Sequence, residues 1–387
     1  MIDSINVKNW MTQEEACEAL GVRKQTLYAY VSRGQIEVQS DPQHVHRNLY
    51  RATDISTLLK KRSLGRARKN IAASTMAWGE PIIDTSLSTV VRGRLYYRGR
   101  DAVQLAASAT LEEAARLLWD MPSEPRLPSF APVAFDGPVR ARVFAAMAHA
   151  AANDQTESPR DAEVMVDQAA GLVGRLASNF VVLQSDDGPL HLRIAQAWDA
   201  PHHADLLRRV LVLLADQELT SSSFAARVAA STGASLGASM IAGLAAFSGP
   251  MHGNAIVRVR EFMDEARRSG TETVVRRRMA AGGALPGFGH ELYPQGDPRA
   301  ADLLSAFDAP DAARELIGCV ERLTGKLPTI DVALAALVDH CRLPEEAAFA
   351  LFSIARSVGW IAHSIEQINE GSLLRPRAHY VGPAVAD

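Results

Sequence analysis

The strongest constraint on this chain is an Ala- and Leu-rich sequence after about residue 100, in which apolar residues recur every three or four positions. That period places apolar side chains on one face of an α-helix. Proline and glycine interrupt it at Pro122, Gly188–Pro189 and Gly249–Pro250, as they commonly do where helices end. The pattern therefore predicts a mainly α-helical body. The clearest predicted helices span residues 111–118, 139–151, 161–176, 204–215 and 222–246.

Residues 71–100 have a different pattern, in which short apolar groups alternate with Gly and Pro. The groups are Ile82–Ile83, Val90–Val91 and Leu95–Tyr97. Apolar runs this short, bounded by turn-forming residues, are typical of β-strands. We therefore expect a few short strands ahead of the helices.

The composition excludes several classes of protein. Of the 387 residues, 47% are hydrophobic and 22% are charged, which is typical of a globular chain and too apolar for a disordered one. A membrane-spanning helix needs about 18 consecutive apolar residues, and runs such as Val332–Val338 are far shorter. The first residues have no basic segment followed by an apolar core, so they predict no secretory signal. We expect a cytoplasmic protein that does not enter a membrane.

The cysteines and histidines indicate no metal centre. The cysteines are Cys17, Cys319 and Cys341. They lie far apart, so they have neither the paired spacing of a metal site nor the even number of a disulfide framework. The histidines also lack ligand spacing. The sequence therefore predicts no bound metal.

The net charge of −3 is the average of two unlike parts. Residues 1–70 hold twelve Lys and Arg against seven Asp and Glu, so they carry +5, whereas residues 71–387 carry −8. Such an asymmetry indicates a nucleic-acid or interaction module joined to another domain. A solvated basic linker is the alternative, because basic residues cluster over 60–69. We predict a domain boundary at residue 70.

Residues 1–70 have the pattern of two short helices joined by a glycine turn. Thr12 and Glu15 have capping-box spacing at a helix start, and Gly21 is suited to end that helix. Leu27 and Val31 lie on one face of a second predicted helix. The elements after the first helix are predicted as a helix over 23–32, strands over 36–39 and 47–51, and a helix over 54–61.

This order resembles the winged helix-turn-helix domain of the MerR and excisionase type. The matching residues are Glu15–Ala16, Leu20–Val22, Gln25–Tyr28, Arg33–Gly34 and Leu49–Asp54. The resemblance implies that the second helix enters the DNA major groove while basic side chains contact phosphates. The candidates for DNA contact are Arg23, Lys24, Gln25, Arg33 and Arg47. A domain of this fold that serves only as a protein contact is the alternative, because fold does not determine function.

Three short segments of the body hold candidate catalytic side chains. Residues 249–255 place His252 in a tight turn before a helix, where a histidine tends to stay neutral. Residues 285–290 form a glycine-rich loop that ends in a second histidine, and Asp331 precedes an apolar helix. Taken singly, the histidines also fit ordinary loop positions and Asp331 fits a helix cap.

Taken together and in this order, the segments resemble the citrate synthase family over residues 76–383. Further matching segments are Leu95–Gly99, Phe224–Thr232, Asp297–Arg299, Ile354–His363 and Arg375–Gly382. The resemblance implies a homodimer of large and small helical domains, with the small domain at roughly 255–350 closing over the substrates. It implies condensation of acetyl-CoA or another acyl-CoA with oxaloacetate, followed by thioester hydrolysis. The coenzyme A thioester is then a co-substrate, and no cofactor is bound.

The same resemblance assigns roles to individual residues. Asp331 is the base that removes a proton from the acyl-CoA, and His252 donates to the enolate oxygen. His290 then protonates the ketone oxygen of the 2-oxo acid. The carboxylate-binding arginines are Arg299, Arg356 and Arg375, the last from the neighbouring subunit. The CoA-binding loop is Leu285, Pro286, Gly287, Phe288 and Gly289. Each arginine is alternatively a surface ion pair.

Several positions depart from the family's pattern. Gln217 replaces a histidine that contacts oxaloacetate, and glutamine donates a hydrogen bond but carries no positive charge. Pro294 stands where a basic residue reaches the CoA phosphate, and Glu291 adds an acid nearby. The catalytic residues are nevertheless all present. We therefore expect a working enzyme with an altered substrate site.

Two alternatives follow from these departures and from the N-terminal domain. In the first, the same chemistry acts on propionyl-CoA, giving 2-methylcitrate, or on another 2-oxo acid. In the second, the chain is a DNA-binding regulator whose body senses a ligand. The presence of Asp331, His252 and His290 argues against the regulator, because sensing does not require a base for carbon acids.

Overall fold

The structure is a computed structural model that describes residues 10–32, 34–41, 44–59, 83–153, 162–185, 187–378 and 380–383. The chain divides into two compact units between Asp84 and Thr85. The boundary predicted at residue 70 lies outside the described residues.

The N-terminal unit combines short helices with a three-stranded antiparallel sheet. Its elements are β1 (Trp10–Met11), α1 (Gln13–Leu20), α2 (Lys24–Ser32), β2 (Val38–Asp41), β3 (His44–Arg51) and α3 (52–59). The strand order is β1-β3-β2, with Val38 opposite Tyr50. A small core of its own holds the unit together, formed by Ala16, Leu20, Leu27, Ile36, Tyr50 and Ile55.

Local sequence determines both ends of α1. The Thr12 hydroxyl accepts from the Glu15 backbone N–H at 3.3 Å, and the Glu15 carboxylate accepts from the Thr12 N–H at 2.8 Å. Gly21 ends the helix at φ 60°, in the left-handed region that glycine adopts without steric cost. The predicted capping box and glycine stop are therefore confirmed.

The first strand of the predicted hairpin begins two residues later than expected. Ile36 is buried in the core. The Glu37 N–H donates to the Asp54 carboxylate at 2.9 Å, so Glu37 is bonded to β3 only through its carbonyl, which accepts from the Arg51 N–H at 3.0 Å. Regular pairing therefore starts at Val38.

The second unit opens with a small antiparallel sheet. Its strands are β4 (Ser88–Val91), β5 (Arg94–Tyr97) and β6 (Arg100–Asp101), in that order. The strands predicted at Val90–Val91 and Leu95–Tyr97 are confirmed. The one predicted at Ile82–Ile83 is wrong for Ile83, which lies in a bend, and Ile82 falls outside the described residues.

Helices form the rest of the second unit. They are α4 (Ala102–Ala106), α5 (Leu111–Leu118), α6 (Val139–Asn153), α7 (Ala162–Phe180), α8 (Leu190–Ala197), a 3-10 turn (Pro201–His203), α9 (Ala204–Leu213), α10 (Ser221–Ser231), α11 (Leu236–Phe247), α12 (Ala255–Ser269), α13 (Thr271–Ala280), α14 (Pro298–Ser305), α15 (Asp311–Thr324), α16 (Ile330–His340) and α17 (Ala347–Glu370). The predicted mainly helical body is thus confirmed.

The single helix predicted over 222–246 is wrong, because two helices occupy that stretch. Gly233 takes φ 83° between α10 and α11 and breaks the helical backbone. Ser235 then starts α11 by accepting from the Ala238 N–H at 3.1 Å. Both helices bury apolar faces, so the apolar period continues across the break and hides it.

The centre of the second unit is α17, whose side chains are buried from Ala347 to Ser364. It is long and apolar enough to cross a membrane, but almost all of its most apolar stretch is buried in the core. Small residues bring neighbouring segments close to it. A Cβ on Gly359 would lie 2.6 Å from the Ala215 carbonyl oxygen, and the Gly359 N–H donates to that oxygen at 3.0 Å. The segment after α9 is therefore fixed against α17.

Candidate active site

The segment 214–218 forms one wall of the candidate site. The Tyr97 hydroxyl lies 3.1 Å from the carbonyl oxygens of both Val212 and Asp216, which ties the end of α9 to the small sheet. Asp216 is fully buried, with a carboxylate oxygen 3.4 Å from His363 Nε2 on α17. These contacts hold Gln217, the next residue, in a defined position.

Gln217 joins two of the predicted site residues. Its Oε1 accepts a hydrogen bond from Arg299, and its Nε2 lies 3.4 Å from His290 Nε2. Gln217 is buried, and Arg299 is 1% exposed. The structure therefore brings the amide, the guanidinium and the imidazole together.

Asp297 orients Arg299 and connects it to α16. Its two carboxylate oxygens accept from Arg299 Nε at 2.9 Å and Arg299 Nη2 at 2.8 Å. The same carboxylate accepts from the backbone N–H of Arg299 at the start of α14 and from that of Ile330 at the start of α16, each at 3.0 Å. The ion pair is buried, so the surface ion pair considered for Arg299 is wrong.

His290 is neutral in this environment. Burial, and then the charge of Arg299, lower its pKa. The Leu292 backbone N–H donates to His290 Nδ1 at 3.2 Å. Because Nδ1 accepts, the proton of the neutral ring belongs on Nε2. In that tautomer His290 Nε2 is a donor, and so is the Gln217 amide nitrogen 3.4 Å away, so the two do not hydrogen-bond each other and both are suited to donate to a ligand oxygen.

His252 lies in the turn before α12, as predicted. Its Nε2 lies 2.7 Å from the Ser222 hydroxyl, and the Phe247 ring packs against it edge-on with centroids 5.0 Å apart. Burial, and then the charge of Arg356, lower its pKa to about 4. The imidazole is therefore neutral at physiological pH.

Asp331 lies in the first turn of α16 and is partly buried. Desolvation raises its pKa, although the Thr329 hydroxyl, which donates to its Oδ2 at 3.0 Å, and the charge of Arg299 both act to lower it. A raised pKa makes a carboxylate a stronger base. The alternative role as the helix cap is wrong, because Thr329 occupies the N-cap position.

The glycine-rich loop is fastened to the segment that leads into α16. The Gly289 N–H donates to the Leu327 carbonyl at 2.9 Å, and the Thr329 N–H donates to the Gly287 carbonyl at 2.8 Å. Gly287 has φ 80°, and a Cβ there would lie 2.5 Å from Val332. The loop and the carboxylate of Asp331 are therefore held in one local arrangement.

Arg356 and Tyr293 contribute buried polar groups. Arg356 is 1% exposed, and its Nε donates to the Leu214 carbonyl at 2.9 Å. Among the described residues, no hydrogen-bond partner is present for Arg356 Nη2 or for the Tyr293 hydroxyl. Buried donors are nearly always paired in native proteins, so both groups are suited to a ligand. The surface ion pair considered for Arg356 is wrong.

Arg375 is not brought into this site. It is exposed in the irregular segment that follows α17. Within the described part of the chain it makes no hydrogen bond or ion pair. Its role across a subunit interface stays a prediction.

The candidates for DNA contact lie in the other unit. Arg23, Lys24 and Gln25 are exposed at or just before the start of α2, and Arg47 is exposed on β3. Lys24 Nζ lies 3.9 Å from Glu14, a distance that allows only a weak ion pair. Arg33 lies outside the described residues.

Sequence reasoning assigned no role to several residues that shape the site. Ser222 and Thr329 resemble ordinary helix-start residues and had no distinguishing signal. Asp297 had one, because Asp-Pro is a typical N-cap and first-turn pair. Tyr293 lies beside the predicted His290, with ring centroids 4.8 Å apart.

Comparisons with known families match both units. The model described as "Citrate synthase, C-terminal domain" matches residues 138–377, which is more than half of the chain. The model described as "Helix-turn-helix domain" matches residues 10–63.

Curated relatives match over part of their length. A Mycobacterium tuberculosis protein provisionally named citrate synthase 2 is 35% identical over 196 residues, covering 47% of this chain and 52% of the relative. Citrate synthase 2 of Bacillus subtilis is 29% identical over 219 residues, covering 54% and 56%. The chain thus spans about half the length of the curated relatives it matches.

Solved structures match over a longer range. Citrate synthase from Thermotoga maritima has a TM-score of 0.67 and 26% identity, covering 80% of this chain and 96% of that one. Citrate synthase from Thermoplasma acidophilum, solved as a ternary complex with carboxymethyl coenzyme A and oxaloacetate, has a TM-score of 0.64 and 25% identity, covering 79% and 95%.

Proposed function

The chain belongs to the citrate synthase family, and on that premise we propose that it condenses an acyl-CoA with oxaloacetate and hydrolyses the resulting thioester. The observation that carries this proposal is the arrangement around Arg299. Arg299 contacts Gln217 and Asp297, and its charge acts on both His290 and Asp331. A cation held in place near a neutral acid and a carboxylate base is suited to binding the carboxylates of a dianionic 2-oxo acid.

The first step is proton removal from the carbon next to the thioester. Asp331 takes this proton, and its raised pKa makes it a better base than an ordinary carboxylate. His252 donates a hydrogen bond to the forming enolate oxygen. A neutral imidazole suits this task, and the pKa of about 4 keeps His252 neutral.

Carbon–carbon bond formation follows. The enolate carbon attacks the ketone carbon of the 2-oxo acid, and the ketone oxygen takes a proton from His290 Nε2. Arg299 and Arg356 bind the carboxylates of that substrate, supported by their burial and by Arg356 Nη2, for which the described residues offer no partner. We propose that Arg375 completes this set from a second subunit of a homodimer. Water then cleaves the thioester, which releases coenzyme A.

Substrate preference belongs to the same proposal. Gln217 accepts from Arg299 through its oxygen, so it helps to position the guanidinium, and its amide nitrogen lies beside His290 Nε2 where both can donate to substrate. We place acetyl-CoA and oxaloacetate first. The alternatives are propionyl-CoA in place of acetyl-CoA, or another 2-oxo acid in place of oxaloacetate. The residues to compare between enzymes with these preferences are the loop 285–289 and Gln217.

The decisive experiment measures coenzyme A release by the purified chain. We expect release from acetyl-CoA only when oxaloacetate is present, and we expect Asp331→Asn to lower kcat by at least about a hundredfold, as removal of a general base does. Asp136→Asn, in the exposed loop before α6, is the control and should keep full activity. Absence of release with every acyl-CoA and 2-oxo acid pair would overturn the proposal, and so would an active Asp331→Asn variant.

A second candidate function is DNA binding by residues 10–63. It is favoured by the helix-turn-helix match and by the exposed basic residues near the start of α2. Such a function is compatible with catalysis in the other unit. It would make the chain an enzyme with an attached DNA-binding domain.

A further inference from the structure

Three potential metal ligands meet on the second unit, outside the proposed active site. His203 ends the 3-10 turn before α9, His340 is the last residue of α16, and Cys341 follows it. One ligand atom from each lies within 4.8 Å of the others. The two imidazole rings are 5.3 Å apart, and Phe307 packs against His340 at 4.9 Å.

The chemistry of this cluster fits a borderline-soft divalent ion. Imidazole nitrogen and thiolate sulfur are preferred ligands of Zn²⁺, at about 2.0–2.1 Å and about 2.3 Å. Around a tetrahedral ion such ligands lie roughly 3.4–3.6 Å apart. Small side-chain rotations from the present separations would reach that geometry.

The burial of the cluster also suits an ion. Cys341 is 6% exposed, and the two histidines are partly exposed, which leaves a path for an ion and a fourth position for water. Burial raises the pKa of the Cys341 thiol to about 11, which opposes ligation, so the ion must displace the thiol proton to solvent as the sulfur–metal bond forms.

The position of the cluster gives it a mechanical consequence. His340 and Cys341 lie in the range 255–350 predicted as the small domain, whereas His203 lies outside it. Asp331 is on the same helix as His340, nine residues earlier and roughly 13 Å away along the axis. An ion at the cluster would therefore join the helix of the proposed base to the segment before α9.

We propose that His203, His340 and Cys341 bind one Zn²⁺ per chain, and that the bound ion restrains α16 and thereby slows turnover. The second clause rests on the proposed function and on domain closure, but the binding site itself does not. Zinc here is an inhibitory ligand and has no part in the proposed chemistry at Asp331.

Binding is tested first with Co²⁺, which reports thiolate ligation by a sulfur-to-metal charge-transfer band. Full-length protein should develop that band and saturate at one Co²⁺ per chain, and Zn²⁺ should displace it. Cys341→Ser should abolish the band, and His203→Ala or His340→Ala should weaken affinity at least tenfold. Cys319→Ser and His202→Ala are matched controls, because one changes another buried cysteine and the other a neighbouring histidine.

Activity is tested separately, by the decrease of thioester absorbance with and without Zn²⁺. We expect Zn²⁺ to lower kcat in the parent protein and in both controls, a chelator to restore it, and Cys341→Ser to be insensitive. A missing charge-transfer band, or one that survives in Cys341→Ser, overturns the site. Zinc binding without any change in kcat overturns the restraint of α16. An inactive parent protein that still binds one Co²⁺ overturns the proposed function and leaves the site supported.

Discussion

At the scale of single residues, the ionisation of Asp331 depends on opposing influences. Desolvation raises its pKa, while the hydroxyl of Thr329 and the charge of Arg299 act to lower it. The side chain must be deprotonated to act as a base, yet a carboxylate that is too stable is a weak base. Thr329 therefore acts on the proposed base directly, through its hydroxyl.

This balance predicts the pH dependence of a Thr329→Val variant. Valine keeps the shape but removes the hydrogen bond to the carboxylate, so the pKa of Asp331 should rise further. The base is then protonated over a wider acidic range, and the acid limb of kcat/KM should move to higher pH. Protonation of His252 contributes only near its pKa of about 4.

The measurement is a pH profile of kcat/KM for the parent and the variant. Thr324→Val is the control, because the Thr324 hydroxyl bonds the Val320 carbonyl at 2.8 Å, away from Asp331. An acid limb that stays in place in Thr329→Val would show that the hydroxyl does not tune the base.

At the scale of elements, the loop 285–290 and the start of α16 form one arrangement. Two backbone hydrogen bonds connect them and form an antiparallel bridge between Phe288 and Pro328. Gly287 makes the close approach available, because its positive φ and missing Cβ admit Val332. The loop predicted to bind CoA and the helix that carries the proposed base are therefore joined by backbone contacts.

A Gly287→Ala substitution should disturb this coupling. The new Cβ would lie 2.5 Å from Val332 and 2.9 Å from Val259, so the loop must shift. Overpacking of this kind costs about 1–3 kcal/mol of stability. We expect a lower midpoint in thermal unfolding and a raised KM for acyl-CoA.

Gly282→Ala is the matched control. Gly282 also has a positive φ, of 63°, but no atom of the described residues lies within 4 Å of its Cβ position. The Gly282→Ala substitution therefore introduces the backbone strain of a positive φ but no steric overlap with a neighbouring side chain. Equal effects of the two substitutions on KM would mean that the contact with Val332 is unimportant.

At the scale of the whole molecule, the chain consists of two units, each with its own hydrophobic core. The basic charge of residues 1–70 and the acidic charge of the remainder fit this division. We expect the full chain to bind random-sequence duplex DNA weakly, with an affinity that falls as salt rises. In an Arg23→Ala/Lys24→Ala variant, the slope of log K against log salt should decrease by about 0.9 for each phosphate that is no longer neutralised.

The measurement is fluorescence anisotropy of labelled DNA at several salt concentrations. Arg126→Ala/Arg268→Ala is the control, because it removes the same charge from exposed positions of the second unit. If both variants bound DNA with the same salt dependence, or if the parent did not bind DNA at low salt, DNA binding by the N-terminal unit would be excluded and its role as a protein contact would remain.

Helix ends illustrate how far sequence reasoning extends. Thr12, Glu15 and Gly21 act between residues a few positions apart, so their spacing was sufficient to predict α1. The break at Gly233 was missed because apolar period alone does not distinguish one long helix from two that bury similar faces. The family's motifs supplied the site residues, since no local pattern relates His252 to Asp331.

The sequence by itself determined the helical body, the N-terminal helix-turn-helix and the identity of the candidate residues, because periodicity, caps and motifs are encoded over short distances. Only the tertiary structure decided that Arg299 meets Gln217 and Asp297, that burial raises the pKa of Asp331 and lowers that of His252, and that His203 meets His340 and Cys341. Those properties arise from desolvation and contacts between remote segments. They exist only once packing has brought the segments together.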